Sequence, residues 1–442
     1  MREIFSEENK YKIWRRIWVA LAEAEHSSGL LTDEELSDLK AHQDSIDIDR
    51  IQEIEKYTKH DVVAAIREYA EKTKIGGGKI HLGATSMDIR NNQDMIQITQ
   101  SLEIIENKLK DILKAFSVKI DKYADLTCIG YTHLQPAEPT TVGYRMAFYA
   151  QDLLIDLELL QFVKKTIKAK GIKGAVGTSA SYKNLGVVPQ ELEKKVLDKL
   201  GLRGVLIASQ IYTHKYDYLV LACLASIAST LSKFASDLRI LQSPAYGEWS
   251  EPFGDKQVGS SAMPFKRNPI DSEKICSLAR YIAALPQVTL GNLAHGYLER
   301  TLDDSANKRI VIPEAFLGVD EILMVGQKII EGLVVNETRI KENLQKYAPF
   351  AATEAIIISA VGAGADRQTM HEVIREISMV AWETIQKGGG NPMTDLLKKN
   401  DEIAKYVGVD SLDKLMNVAD HIGDAPERAR KLVEEIKKVV ND

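Results

Sequence analysis

Between Gly259 and Pro269 the chain reads Gly-Ser-Ser-Ala-Met-Pro-Phe-Lys-Arg-Asn-Pro. Two hydroxyls, two cations and an amide lie between a glycine and a proline. Backbone N–H groups of such a loop, with Lys266 and Asn268, could receive an anionic oxygen. Pro269 suits the start of a helix that would hold Ser272 and Glu273. Thr85 and Ser86 stand at the start of a long apolar stripe, where partial positive charge favours a carboxylate. The same pair also suits an ordinary helix cap. Arg300, Ser305 and Arg309 are spaced by five and four residues, so the last two can share one helical face. A guanidinium suits phosphate because its planar fork donates two bonds. An exposed arginine pair on a helix is the other reading.

The 259–269 string is similar to the signature loop of the fumarase/aspartase superfamily, and its Lys-Arg-Asn-Pro variant most resembles the adenylosuccinate lyase family. Further strings fall in the same order. They are Lys59-His60-Asp61, the run His81-Leu-Gly-Ala-Thr85-Ser86, the run Tyr131-Thr132-His133-Leu-Gln-Pro136, Gln210, and Glu299 to Arg309. The resemblance covers nearly the whole chain. It implies a β-elimination that splits a C–N bond and releases fumarate, with no metal and no organic cofactor.

By that resemblance Ser260 is the general base and His133 the general acid, with Glu273 fixing the imidazole and Lys266 favouring the serine alkoxide. Lys266 and Asn268 hold the charged carboxylate. Ser261 and Met263 lie in the same substrate-binding loop. Thr85, Ser86, Thr132 and Gln210 serve the succinyl part. Arg300, Ser305 and Arg309 serve the phosphate and sugar, and Lys59, His60 and Asp61 complete the nucleotide pocket. His60, His81 and His133 are functional on this basis, whereas His26, His42, His371 and His421 read as surface or core residues. The implied substrates are succinyl-AMP and the succinylated aminoimidazole carboxamide ribotide. The implied assembly is a homotetramer with sites shared between subunits.

Two features depart from the pattern. The family's Arg-Tyr pair before a Ser-Pro-Glu-Met segment has no counterpart in the sequence as written, so preceding residues or another group would have to supply it. Lys274 stands where many relatives have Arg, which keeps charge but loses bidentate pairing. The nearest rival activity is that of 3-carboxy-cis,cis-muconate cycloisomerase, which needs no phosphate clamp. A catalytically silent helical scaffold is the rival of another class.

Helical elements must position these groups. Ile13, Trp14, Ile17, Trp18 and Leu21 recur at helical spacing, with Gly29 as a stop. Thr32 to Glu35 has the capping-box pattern. A helical stretch from 47 to 74 breaks near Thr58 to His60, and Gly76-Gly77-Gly78 follows. Long apolar-striped stretches then run at about 88–125, 140–169, 211–243, 270–293 and 302–333, with Pro313 expected to kink the last. Residues 217–229 are apolar round more than one face, which points either to burial by other subunits or to an unusually apolar core. The loops at 171–186 and 243–269 are long enough to be functional. The expected architecture is all-α with three domains, at 1–86, 87–335 and 336–442, the middle one a long-helix bundle.

Of 442 residues, 45% are hydrophobic and 27% charged, a globular balance that excludes wholesale disorder. With 57 basic and 63 acidic residues the net charge is −6, which disfavours general nucleic-acid binding. Cys128, Cys223 and Cys276 have neither zinc nor disulfide spacing. No run of 18 apolar residues and no apolar leader appear, so the expectation is a cytoplasmic chain with no membrane or nucleic-acid partner.

Overall fold

The computed structural model describes residues 1–417 and 421–441. It is predominantly helical. The elements are α1 (Glu7–His26), α2 (Asp33–Ala41), α3 (Ile48–Thr58), α4 (Asp61–Lys72), α5 (Ser86–Lys122), β1 (Thr127–Thr132), β2 (Gln135–Thr141), α6 (Val142–Thr166), α7 (Ala180–Asn184), α8 (Pro189–Leu200), α9 (Lys215–Gln242), β3 (Trp249–Ser250), α10 (Ile270–Ala284), α11 (Pro286–His295), α12 (Ser305–Gly332), β4 (Val334–Val335), α13 (Glu337–Ala351), α14 (Thr353–Gly362), α15 (Arg367–Gln386), α16 (Met393–Lys398), α17 (Asp401–Ala404), α18 (Val409–Leu415) and α19 (Ala425–Asn441).

The chain divides into two compact units. The first comprises Met1–Lys108, Asp156–Ser229 and Leu278–Glu321, and the second Leu109–Ile155, Thr230–Ser277 and Ile322–Asp442. The helices α5, α6, α9, α10 and α12 each contribute a segment to both units.

Local sequence sets the boundaries in the first unit. Ser6 caps α1 by accepting from the Asn9 N–H at 3.1 Å, and Thr32 and Glu35 form the expected capping box on α2. The 47–74 stretch breaks as expected. Lys59 closes α3 in the left-handed region (φ 53°), and His60 opens α4 by accepting from the Val63 N–H at 3.4 Å. The apolar face of α1 (Tyr11, Trp14, Trp18, Leu21) buries against Tyr69 of α4, Ile89 and Ile96 of α5 and Leu192 and Val196 of α8. Each such side chain, fully buried, contributes about 1.5–3 kcal/mol. Arg15 enters this core paired with Glu68, its guanidinium 3.4 Å from the Tyr69 ring centre.

In the second unit, α13 packs against the β1–β2 hairpin. A separate cluster of Ile356, Met370, Ile374, Met393, Leu397, Ile403 and Leu412 forms the C-terminal core. The short β3–β4 pair joins Trp249 to Val335.

One expectation needs correction. The stretch 270–293 is two helices, because Pro286 lacks an N–H and cannot continue α10, so it opens α11 instead. Residues 127–141 form a hairpin, a signal obscured by its two prolines, which a two-stranded edge tolerates. The expected last long stretch is α12, which begins at Ser305 and continues on both sides of Pro313. Within 217–229, Val220, Leu221, Cys223, Leu224, Ile227 and Ala228 are buried in the single chain, so the core accounts for them. The same burial bears on α9 as a whole. It is the one described helix long and apolar enough to cross a membrane, and half of its most apolar window is already buried. All three cysteines are free and buried.

Candidate active site

The sequence-derived site residues fall into two groups, one in each unit. The second unit holds Thr132, His133, Ser260, Ser261, Met263, Lys266, Asn268 and Glu273. Its β-hairpin turns in two residues, His133 and Leu134, between the paired Thr132 and Gln135. Both turn residues have positive φ, 54° and 61°. A two-residue connection with both central φ values positive matches the right-handed twist of its strands and normally recruits Asn-Gly. Here a histidine and a leucine take the conformation, at a cost of order 1 kcal/mol or more each.

The surroundings hold the turn in place. Glu248 is fully buried and accepts hydrogen bonds from Tyr131 Oη, Arg145 Nη1 and Asn343 Nδ2, each at 3.0 Å. Arg145 also donates to the Ile129 carbonyl, and Tyr246 Oη donates to the Leu134 carbonyl at 2.9 Å. Next to the strand irregularity, Gly130 is required, since a Cβ there would lie 2.7 Å from the Glu138 carbonyl oxygen. His133 is left exposed.

The Ser260 loop is tethered at its base and open at its tip. Gln242, the last residue of α9, accepts from the Glu251 N–H at 2.9 Å and donates to the Arg267 carbonyl at 3.0 Å. Glu251 in turn accepts from the backbone N–H groups of Asp271 (3.3 Å) and Ser272 (2.5 Å) and so caps α10. Asn268 Nδ2 donates to the Gly259 carbonyl at 2.9 Å. Ser260 Oγ accepts from two backbone N–H groups, Ala262 at 3.4 Å and Met263 at 3.2 Å. Such donors stabilise negative charge on that oxygen. Ser261, Met263 and Lys266 are exposed, and the Lys266 ammonium makes no ion pair among the described residues. Glu273 lies 3.9 Å from Arg239. Within the single chain no hydrogen bond joins it to His133.

The first unit holds Lys59, His60, Asp61, His81, Thr85, Ser86, Gln210, Arg300, Ser305 and Arg309. The first turn of α5 carries Ser86, whose hydroxyl is 3.4 Å from His60 Nε2. The Thr85 N–H donates to Asp88 at 2.9 Å. Asp88 is fully buried, pairs with Lys170 Nζ at 2.5 Å and accepts from the Lys173 and Gly174 N–H groups, which fixes the 171–186 loop against this helix start. His81 Nδ1 accepts from Trp18 Nε1 at 3.1 Å. Burial pushes its imidazole down to about 4, so it is neutral near pH 7. The Gln210 N–H donates to the Glu299 carbonyl at 3.3 Å, tying the Gln210 loop to the arginine motif.

Arg300, Ser305 and Arg309 line one cavity of about 270 Å³. Behind it lies a buried polar network that sequence reasoning missed. Lys308 donates to Tyr212 Oη at 2.6 Å and pairs with Asp94 at 3.0 Å and Asp217 at 3.3 Å. His214 joins Asp217 at 2.8 Å and Asp304 at 3.5 Å. Burial opposes the charge on Asp217, yet Lys308, His214 and Tyr212 together hold its carboxyl below the usual range. The missed signal was helical spacing: Asp304 and Lys308 are four apart on one face. Among the described residues no group of three or more His, Cys, Asp and Glu is placed to hold a metal ion.

Residues 1–283 match the sequence model of a lyase family, and residues 349–432 match that of the adenylosuccinate lyase C-terminus. Adenylosuccinate lyase of Schistosoma mansoni is 40% identical over 89% of this chain and 83% of its own length. That of Schizosaccharomyces pombe is 37% identical over 98% and 91%. The chain belongs to the adenylosuccinate lyase family. Adenylosuccinate lyase of Methanocaldococcus jannaschii is likewise 37% identical over 99% of this chain and 94% of its own.

Among solved structures, a fumarate lyase from Mesorhizobium sp. BNC1 superposes with a TM-score of 0.87 at 22% identity, covering 98% of this chain and 97% of that one. The 3-carboxy-cis,cis-muconate lactonizing enzyme from Pseudomonas putida gives 0.87 and 22%, covering 100% and 97%. These two likenesses show a shared fold. Membership of the adenylosuccinate lyase family, carried by higher identity over nearly the full length, makes the chain a lyase and places the muconate reading second.

Proposed function

We propose that this lyase splits the C–N bond of succinyl-AMP to give AMP and fumarate, and does the same to the succinylated aminoimidazole carboxamide ribotide. A hydrogen on carbon beside a carboxylate is a very weak acid, and removing it loads a second negative charge onto that carboxylate. The ionised Ser260 oxygen takes this proton, and the electron pair passes to the carboxylate. That charge then returns to form the fumarate double bond as the C–N bond breaks, and protonated His133 caps the departing nitrogen. Glu273 steadies His133, and Lys266 and Asn268 hold the carboxylate, with Ser261 and Met263 beside them. Thr85, Ser86, Thr132 and Gln210 serve the succinyl group. Lys59, His60, Asp61, His81, Arg300, Ser305 and Arg309 hold the nucleotide.

The observation that carries the reading is the pair of backbone N–H groups on Ser260 Oγ. They lower the cost of an alkoxide, without which a serine is a poor base.

The assay is fumarate release from each succinylated nucleotide. Ser260→Ala and His133→Ala are expected to cut turnover by roughly 10³-fold while retaining helical content. Wild-type rates in either variant, or no fumarate from the parent chain, rejects the reading. The absence of fumarate from the parent chain revives the muconate or silent-scaffold alternative.

We further infer a homotetramer whose sites draw on several subunits, within the three-segment organisation expected from sequence. Supporting it, Tyr144, Phe148, Ile155 and Phe162 form an exposed apolar series along α6, 40–57% accessible in the single chain. Light scattering that returns a monomer counts against it. The expected compartment is the cytoplasm, tested by cell fractionation.

A further inference from the structure

Arg90 lines the same cavity as Arg300 and Arg309 and belongs to none of the strings singled out in the sequence. It lies one helical turn after Ser86 on α5, so its side chain rises from the same face. The charges around it do not balance. Arg90 and Arg309 share one carboxylate, Asp61, whose Oδ2 is 3.6 Å from the first and 3.8 Å from the second. Both separations exceed hydrogen-bond length.

Arg300 stands 3.8 Å from Asp304, a carboxylate that also faces His214. Its side chain is only 9% exposed, and its Nη1 is buried without a hydrogen-bond partner. An orphaned buried guanidinium N–H on a residue that lines a cavity is costly unless a ligand draws it into a hydrogen bond. Burial, together with repulsion from Arg90 and Arg309, lowers the Arg300 pKa despite Asp304. The cavity is lined by five cations (Lys10, Arg90, Arg300, Lys308 and Arg309) against the carboxylates Glu7, Asp94 and Asp304, with Asp61 beside them, a positive excess that suits an anion.

We propose that Arg90 is a third guanidinium of this pocket and binds the phosphoryl group of the nucleotide alongside Arg300 and Arg309. The inference rests on the reading of this cavity as the nucleotide's phosphate end. Arg90 exchanges its long contact with Asp61 for charge-assisted bonds to phosphate oxygens, and so tunes how strongly the enzyme distinguishes a nucleotide from a nucleoside.

The test compares AMP with adenosine as competitive inhibitors of fumarate release in the parent enzyme, Arg90→Gln and Arg90→Lys. In Arg90→Gln the preference for AMP over adenosine is expected to fall roughly tenfold, the adenosine constant staying put. Arg90→Lys, which keeps the charge, recovers part of it. A purely structural role for Arg90 would weaken both inhibitors equally. An unchanged ratio, or an equal loss for both, overturns the proposal. If the parent chain releases no fumarate, the functional reading fails separately. Inorganic phosphate is then titrated calorimetrically into parent and Arg90→Gln protein. Weaker binding by the variant sustains the anion site, and equal or absent binding removes it.

Discussion

Arg145 donates a 3.0 Å hydrogen bond from Nη1 to the fully buried carboxylate of Glu248, and through its other nitrogen holds the Ile129 carbonyl of the hairpin that carries His133. The hairpin bearing His133, the proposed general acid, is thus positioned by an ion pair that never meets solvent on the carboxylate side. Glu248→Ala leaves that guanidinium without its partner and frees Tyr131 and Asn343 as well. The expected loss is about 3–5 kcal/mol of unfolding free energy, with fumarate release falling alongside. Chemical denaturation of the variant checks it. A loss below about 1 kcal/mol would show that the network is not what fixes the turn.

Leu134 is more than half exposed and sits at φ 61°. Glycine relieves that conformation, whereas a β-branched residue worsens it. Leu134→Gly is expected to leave the thermal midpoint unchanged or higher. Leu134→Val should lower stability by about 1–2 kcal/mol. Equal midpoints for the two variants would contradict a strained turn.

A Cβ on Gly259 would lie 1.9 Å from the Lys266 carbonyl oxygen. Gly259→Ala must therefore open the Ser260 loop. The loop tip is exposed, so the thermal midpoint should barely move, while turnover drops by roughly 10²-fold because Ser260, the proposed base, is misplaced. Measuring both in one preparation separates the effects. Full activity in Gly259→Ala would mean that the loop geometry described here is not the working one.

His81 has its imidazole pushed by burial from 6.5 down to about 4. Its folded pKa lies below its unfolded one, so the unfolded chain binds the extra proton between those values. Stability is then lost as pH falls from about 6.5 to about 4, by on the order of 3 kcal/mol. In His81→Gln the amide can still accept from Trp18, and this part of the pH slope should disappear. Denaturation midpoints across that window decide the matter. Parallel slopes for the two proteins would refute the assignment.

Glu25 shows the opposite sign. It is 1% exposed, its Oε1 has no hydrogen-bond partner, and burial pushes its carboxyl up to about 8. The neutral form is favoured on folding, so this contribution is present below about 4.5 and is lost as pH rises through 8. Glu25→Gln should raise the thermal midpoint at pH 8.5 and leave it unchanged at pH 4. A flat difference between the variants at the two pH values would exclude a buried titrating acid.

Much of the architecture was legible because apolar residues at helical spacing and short capping strings are local signals. Thr32 with Glu35, and the break at Lys59 and His60, could be read directly. Pro286 could also have been read as a helix start but was overlooked inside an apolar run. The hairpin could not be read easily, because His133-Leu134 lacks the Asn-Gly chemistry of its turn type and the strands contain Pro136 and Pro139. Site strings were legible through resemblance. Their supports were not, since Glu248, Arg145 and Asn343, or Asp88 and Lys170, are far apart in sequence and each looks like an ordinary surface residue alone. Arg90 had a signal, its four-residue spacing from Ser86, that only the crowding of guanidiniums gives meaning.

A connection of just His133 and Leu134 between paired strands leaves no slack. One extra or missing residue there would send alternate side chains of a strand to the opposite face and break the pairing of Thr132 with Gln135. The corner therefore tolerates exchange of side chains more readily than a change of length, and a chain lengthened or shortened there would give up the imidazole's address altogether.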